Sequence, residues 1–122
     1  MIGYVCLGTN DMARATKFYD ELLAVIGAKR LMELERGIVW GVNMQLPSLA
    51  VLKPHDGNAA TVGNGVMVSL VVDSHDKVNT LYNKAIALGA KDEGPAGPRS
   101  PGFYAGYFRD PDGNKLAVFC AG

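Results

Sequence analysis

The chain has 122 residues, twelve basic and twelve acidic side chains, and no run of like charge. Nucleic-acid backbones and anionic membranes are bound through clustered lysine and arginine, so this balance argues against both as partners. The length fits one domain that can bury its own core, without a disulfide or a structural metal.

The start of the chain and its cysteines predict a cytoplasmic protein. MIGYVCLGTND at residues 1–11 lacks the basic segment and the long apolar run of a signal peptide. No stretch approaches the roughly 18 apolar residues of a membrane span. Cys6 and Cys120 lie in separate apolar segments, far from any CxxC spacing, and we expect two buried thiols.

The first half predicts a strand, a helix and three further strands. IGYVCLG at residues 2–8 is a strand-like apolar run, and Asn10–Asp11 can cap the helix that follows. Apolar residues at helical spacing continue to Ile26, and Gly27 stands where a left-handed helix cap favours glycine. The segments KRLMELE, GIVWGV and LAVLK then alternate as short strands.

The second half predicts the same order. GVMVSLVV indicates a strand, Asp73–Ser74 a helix cap, and Gly89 the end of the helix. A strand near Ala90–Glu93 has a faint signal, whereas GFYAGYF and KLAVF are clear strands with a hairpin turn at Asp112–Gly113 between them.

The two halves form an internal repeat, because FYDELLAVIGAK at residues 18–29 aligns with LYNKAIALGAK at residues 81–91. We expect a single domain, 1–122, with a first βαβββ module (1–56), a Gly- and Asn-rich linker (57–65) and a second βαβββ module (66–122). The fold class is α+β, with the two modules forming a curved mixed sheet around a cavity. That cavity is the expected binding site.

The tandem βαβββ pattern, the FYDELL helix and the ending YFRDPDGNKLAVF resemble the vicinal oxygen chelate superfamily. Its members include glyoxalase I, bleomycin-resistance proteins, fosfomycin-resistance enzymes and extradiol dioxygenases. The resemblance covers nearly the whole chain and implies a glyoxalase/bleomycin-resistance-like fold. It also implies a cavity where family enzymes hold one divalent metal with side chains of the first and last strand of each half.

Carried onto this sequence, the four ligand positions implied by the resemblance are Tyr4, Ala50, Met67 and Ala117. A methyl group cannot bind a metal, and a thioether favours soft metals. A phenol with a pKa near 10 is a poor ligand without imidazole or carboxylate companions. The only histidines, His55 and His75, lie in the linker and at the start of the second helix. We therefore predict no metal, no cofactor and no metal-dependent glyoxalase reaction.

Successive side chains of a strand point to opposite faces of the sheet, so every second residue is predicted to line the cavity. The residues that we expect to face a ligand are Tyr4, Cys6, Trp40, Ala50, Met67, Ser69, Arg99, Tyr107, Ala117 and Phe119. Arg99 lies in GPAGPRSPG, which predicts a loop at the cavity mouth where a guanidinium either clamps a carboxylate or phosphate or is simply solvated. Met67 and Trp40 fit a packed core as well as a ligand site. Arg109 is expected to pair with Asp110 or Asp112.

Three functions remain open. The first is metal-independent binding of an apolar or aromatic small molecule in the cavity, as antibiotic-sequestering members of the resembled family do. The second is a glyoxalase-like lyase or isomerase that uses Tyr4, Tyr107 or Cys6 for acid–base chemistry. The third is an interaction module whose cavity is filled by Met67, Phe119 and Trp40. We expect a homodimer in each case, because exposed sheet edges need cover.

Overall fold

Each half of the chain folds as a strand, a helix and three further strands. The computed structural model describes residues 1–122, which divide into two units, Met1–Val62 and Gly63–Gly122. The first unit contains β1 (Tyr4–Gly8), α1 (Met12–Ala24), β2 (Lys29–Leu34), β3 (Gly37–Gly41) and β4 (Ser48–Leu52). The second contains β5 (Val68–Val71), α2 (His75–Ala87), β6 (Lys91–Ser100), β7 (Phe103–Arg109) and β8 (Lys115–Ala121). The predicted α+β fold with two βαβββ modules is confirmed.

Both units contain a four-stranded mixed sheet of the same topology. The strand orders are β1-β4-β3-β2 and β5-β8-β7-β6. In each sheet the first strand runs parallel to the last strand of its unit, and the other pairs are antiparallel. A parallel pair needs a crossover connection, which the helix supplies by passing over one face of the sheet.

The helices begin and end at the predicted signals. The Asp11 carboxylate accepts a hydrogen bond from the Arg14 amide, and the Ser74 hydroxyl accepts one from the Lys77 amide, each at 3.1 Å. Gly27 and Gly89, beyond the two helix ends, have φ angles of 77° and 100°, a left-handed conformation that only glycine adopts without strain. With thirteen residues each, neither helix is long and apolar enough to cross a lipid bilayer.

The core of each unit lies between the helix and the sheet. In the first unit the Trp40 ring packs 5.5 Å from the Tyr19 ring of α1. In the second unit Phe108 and Leu81 are fully buried. Gly106 lets the ring of Tyr82 lie close to β7, since a Cβ atom there would stand only 3.0 Å from it. Small and large residues thus alternate where α2 crosses its sheet.

The structure corrects the prediction for the proline- and glycine-rich segment. It is not a loop: the strand β6 extends through Ser100, and Arg99 lies in it. β6 is an edge strand that pairs with β7 alone, and its register shifts three times. An edge strand leaves one side without partners, so it tolerates prolines and bulges that a central strand would not.

The DPDGN turn between β7 and β8 is organised by Asp110. Its carboxylate accepts hydrogen bonds from the amides of Asp112 and Asn114, each at 2.9 Å, and from the Asn114 side chain. The Asp110 carboxylate therefore accepts its hydrogen bonds from within the turn. The predicted pairing of Arg109 with Asp110 or Asp112 is wrong, because Arg109 donates instead to Glu93 of β6 at 2.7 Å.

Candidate functional site

Each sheet has one face under its helix and one opposite face, which we call the open face. In the first unit Trp40 lies under α1, so its neighbour Val39 points to the open face. Val39 pairs with Ala50, and Ala50 pairs with Cys6, which places all three side chains on that face. The open face of the first unit is formed by Tyr4, Cys6, Met32, Leu34, Val39 and Ala50.

This face is apolar, with buried small residues between large exposed ones. Ala50 is 1% exposed and Val39 is buried, whereas Tyr4 is 67% exposed and Met32 and Leu34 are also exposed. Large apolar side chains that stay in contact with water usually mark a surface that binds a ligand or another protein. The arrangement suits a flat apolar molecule.

Two predictions for this unit need correction. Cys6 is exposed rather than buried, because it lies on the open face; Cys120 is buried as predicted. Trp40 does not line the same face as Tyr4. It is 1% exposed under α1, and its Nε1 donates to the Asp20 carboxylate at 2.8 Å. Trp40 is thus part of the core, which was the other interpretation that its sequence context allowed.

The open face of the second unit follows from the same pairing. Ser69 pairs with Ala117, and Ala117 pairs with Tyr107. The face is formed by Ser69, Val71, Tyr107, Lys115, Ala117 and Phe119. Ala117 is 1% exposed, Ser69 is exposed, and the half-buried Phe119 ring packs 5.5 Å from that of Phe103. Met67 lies just before β5 and is 43% exposed.

Tyr107 is the centre of a polar cluster on this second face. The guanidinium carbon of Arg99 lies 5.3 Å from the ring centroid of Tyr107, and the Lys115 ammonium lies 5.7 Å from it. Both distances are within the range of a cation–π contact. Lys115 was not among the residues predicted to face a ligand. Its position two residues before Ala117 on the same strand was the available signal, since residues two apart share a face.

An ion pair lies beside this cluster. Arg109 holds the pKa of the Glu93 carboxyl below its usual value, chiefly through its hydrogen bond and further through its charge. Each of the two side chains is about a third exposed. They line an open depression of about 550 Å³ next to the DPDGN turn. Glu93 is therefore ionised and already paired at neutral pH.

The residues at the four implied metal positions do not fit a divalent cation. Tyr4, Ala50, Met67 and Ala117 offer one phenol and one thioether between them. No group of three or more histidine, cysteine, aspartate or glutamate side chains is placed to hold an ion. His75 lies outside both open faces: it stacks on Tyr104 at 4.1 Å, and its Nε2 is hydrogen-bonded to the Gly122 oxygen at 2.9 Å.

Comparisons with known proteins agree with this fold. The sequence profile of the Glyoxalase/Bleomycin resistance protein/Dioxygenase superfamily matches residues 1–118. No protein of curated function matches the sequence. Among solved structures, a glyoxalase/bleomycin resistance protein from Albidiferax ferrireducens T118 is 29% identical, with a TM-score of 0.92 over 100% of this chain and 99% of its own.

Two further solved structures share the fold at lower identity. A glyoxalase/bleomycin resistance protein/dioxygenase family enzyme from Burkholderia phytofirmans PsJN is 19% identical, with a TM-score of 0.77 over 98% of this chain and 97% of its own. A lactoylglutathione lyase from Agrobacterium tumefaciens is 21% identical, with a TM-score of 0.70 over 98% of this chain and 92% of its own.

Proposed function

Because the chain belongs to the Glyoxalase/Bleomycin resistance protein/Dioxygenase superfamily, we propose that it is a small-molecule binding protein that acts without a metal. The ligand is apolar or aromatic and lies against the open face of a sheet. The observation that carries the proposal is the pair Ala50 and Ala117, small buried residues at two positions where the resemblance implies metal ligands. They present methyl groups in place of donor atoms.

The surroundings of these alanines support the proposal. Tyr4 and Met32 expose large side chains on the open face of the first unit. In the second unit Tyr107 lies opposite Ala117 on β7, and Phe119 follows Ala117 by two residues on β8, so both supply aromatic rings next to it. Aromatic surfaces bind flat molecules at a small entropic cost, because their side chains have few rotatable bonds.

The proposal includes a homodimer. Fourteen large apolar side chains are exposed along the chain, among them Val42, Met44 and Leu46 in the connection between β3 and β4. The strands β1 and β5 each have one edge without a partner in their own sheet. A second copy would remove both kinds of surface from water. Light scattering after size-exclusion chromatography tests this part of the proposal, and a monomer at all concentrations would contradict it.

The binding proposal is tested by a thermal-shift screen of aromatic compounds against protein treated with EDTA. A ligand present at a hundred times its dissociation constant stabilises the folded state by about 2.7 kcal/mol. We expect Tyr4→Ala to weaken binding, because this exposed residue forms part of the apolar face. The control is Ile86→Ala, which removes an exposed apolar side chain from α2, away from the open face. Binding that both variants retain equally would contradict the role of the open face.

A second function is favoured by one specific observation. Cys6 and Tyr4 are both exposed and lie two residues apart on one face, where a thiol and a phenol can reach a substrate. The alternative is therefore a lyase or isomerase of the glyoxalase type that uses Tyr4, Cys6 or Tyr107 for proton transfer. Turnover of the methylglyoxal–glutathione hemithioacetal in the presence of EDTA, abolished in Cys6→Ser, would favour it over simple binding.

A further inference from the structure

We infer that the ligand carries an anionic group, a carboxylate or a phosphate, which Arg99, Tyr107 and Lys115 bind on the open face of the second unit. The inference rests on the proposed function and adds the charge of the ligand to it. The first unit has no equivalent, because no lysine or arginine is among the residues that form its open face.

Two cations approach the Tyr107 ring, and neither forms a salt bridge, although the charge of Lys115 helps to lower the pKa of Glu93. The Arg99 guanidinium donates to main-chain carbonyls only, at Pro95, Gly97 and Pro98. The Lys115 ammonium has no ion pair or hydrogen bond in the structure, although it lies near the ring. Like charges held near one ring repel each other, and the ring quadrupole offsets only part of that repulsion. An anion bound at this point would offset this repulsion.

The nearby carboxylates are already occupied. Glu93 is paired with Arg109 at 2.7 Å. Asp110 accepts the amides of its own turn, and Asp92 accepts the Tyr82 hydroxyl at 2.6 Å. Lys91 adds a further positive charge, which pairs in register with Arg109. No carboxylate therefore forms a salt bridge with Arg99 or Lys115.

The same strand supplies the apolar part of the site. Lys115, Ala117 and Phe119 follow one another at two-residue steps along β8, so they lie in a row on one face. Tyr107 pairs in register with Ala117. Its hydroxyl has no hydrogen-bond partner in the structure. A hydroxyl donates readily to an ionised oxygen. A ligand with its anionic group at Lys115 would place its apolar body over Ala117 and Phe119.

The test compares three probes that share one ring system and differ in charge. Calorimetric titrations use naphthoate, naphthyl phosphate and the neutral naphthamide against protein treated with EDTA. We expect at least one of the anions to bind about fivefold to tenfold more tightly than the amide, since its hydrogen bonds are charge-assisted. This advantage should shrink as salt is added, because the site is partly open to solvent. Which anion binds more tightly distinguishes a carboxylate from a phosphate ligand.

Variants show which residues carry the preference. Lys115→Gln and Arg99→Gln should each remove most of the preference for the anion over the amide. Lys84→Gln, the same charge change on α2, should retain the preference, because α2 packs on the other face of this sheet. Lys115 makes no hydrogen bond, so its variant is expected to fold, and circular dichroism verifies this.

The outcomes separate this inference from the proposed function. Amide binding as tight as that of both anions, or an undiminished preference in Lys115→Gln, would overturn the anionic site and leave the small-molecule proposal standing. If none of the three probes binds, neither the inference nor the apolar site on which it depends survives.

Discussion

The two units have the same element order and strand pairing, yet their open faces differ in chemistry. In the first unit, exposed apolar side chains surround Ala50, and the polar groups among them, the Tyr4 phenol, the Cys6 thiol and the Ser48 hydroxyl, include no cationic side chain. In the second unit, Ala117 lies in a row with Lys115, beside a tyrosine that contacts two cations. The repeat therefore preserves the scaffold, while the residues on the open face set the chemistry.

The faces under the helices are alike in a way that the open faces are not. Each buries a large aromatic residue, Trp40 in the first unit and Phe108 in the second. Each also joins its helix to the sheet through a hydrogen bond to an aspartate, from Trp40 to Asp20 and from Tyr82 to Asp92. Stability thus depends on one face of each sheet, and the proposed binding on the other.

The largest expected effect is the loss of stability when a buried aromatic residue under a helix is replaced by alanine. Trp40→Ala and Phe108→Ala should each lower the free energy of unfolding by about 3–5 kcal/mol, because each leaves a cavity in a packed core. The open-face control Tyr4→Ala should change it by less than about 1 kcal/mol, since the side chain is 67% exposed. Urea unfolding followed by circular dichroism measures all three. A Tyr4→Ala cost equal to that of Phe108→Ala would refute the division.

The two cysteines give the next largest contrast. In the native protein Cys6 should react with a thiol reagent at least about a hundredfold faster than Cys120, which must wait for local unfolding. In denaturant both should react at similar rates. The reagent is a disulfide that releases an absorbing product when it reacts with a thiol, so absorbance follows the reaction. The fast phase should be lost in Cys6→Ser, which identifies it as the reaction of Cys6. Equal rates for the two thiols in the native state would show that the open face is covered.

Tyr82→Phe should have a smaller effect. The substitution removes the hydrogen bond to Asp92 and should lower the free energy of unfolding by about 1 kcal/mol. Burial, followed by the bond to Asp92, raises the pKa of Tyr82 to about 12. Spectrophotometric titration of the tyrosines should accordingly show an ionisation near pH 12 whose amplitude falls in Tyr82→Phe. A titration unchanged by this substitution would contradict the buried contact.

The smallest effect concerns pH. Hydrogen bonds from Arg30, and secondarily from Trp40, hold the pKa of Asp20 below its ordinary 3.8. A carboxyl with a lowered folded-state pKa stabilises the protein above its unfolded-state pKa, and this contribution is lost as the pH falls through the folded-state value. The loss should therefore begin near pH 4 and should be reduced in Asp20→Asn. The loss of stability should be modest, since the side chains of Asp20 and Arg30 are both partly exposed. Urea unfolding between neutral and acid pH measures it, and a rise in stability toward acid pH would contradict the assignment.

Much of the scaffold could be predicted from the sequence because its signals are local. The helix caps at Asp11 and Ser74, the glycines Gly27 and Gly89, and the hairpin after β7 depend on residues close in the chain. Alternation along β8 likewise placed Ala117 and Phe119 on one face.

The predictions that failed concern contacts between one strand and another or between a helix and the sheet. Alternation shows which residues share a face but not which face the helix covers, so Trp40 was expected to face the ligand together with Cys6, and Cys6 was expected to be a buried thiol. Pairing with β7 makes a strand of a segment whose prolines and glycines favour a loop. The partner of Arg109 comes from that same strand, and the approach of Lys115 to Tyr107 depends on the register between β7 and β8. None of these contacts has a signature within a few residues.

The most direct test of metal-independent binding is a pair of titrations with one aromatic ligand from the screen. The first uses protein stripped with EDTA, and the second uses the same protein after incubation with nickel, zinc and manganese and removal of the free ions. Metal analysis accompanies both. The account predicts equal dissociation constants and far less than one metal ion per chain. One tightly held ion per chain, together with binding that EDTA abolishes, would contradict it.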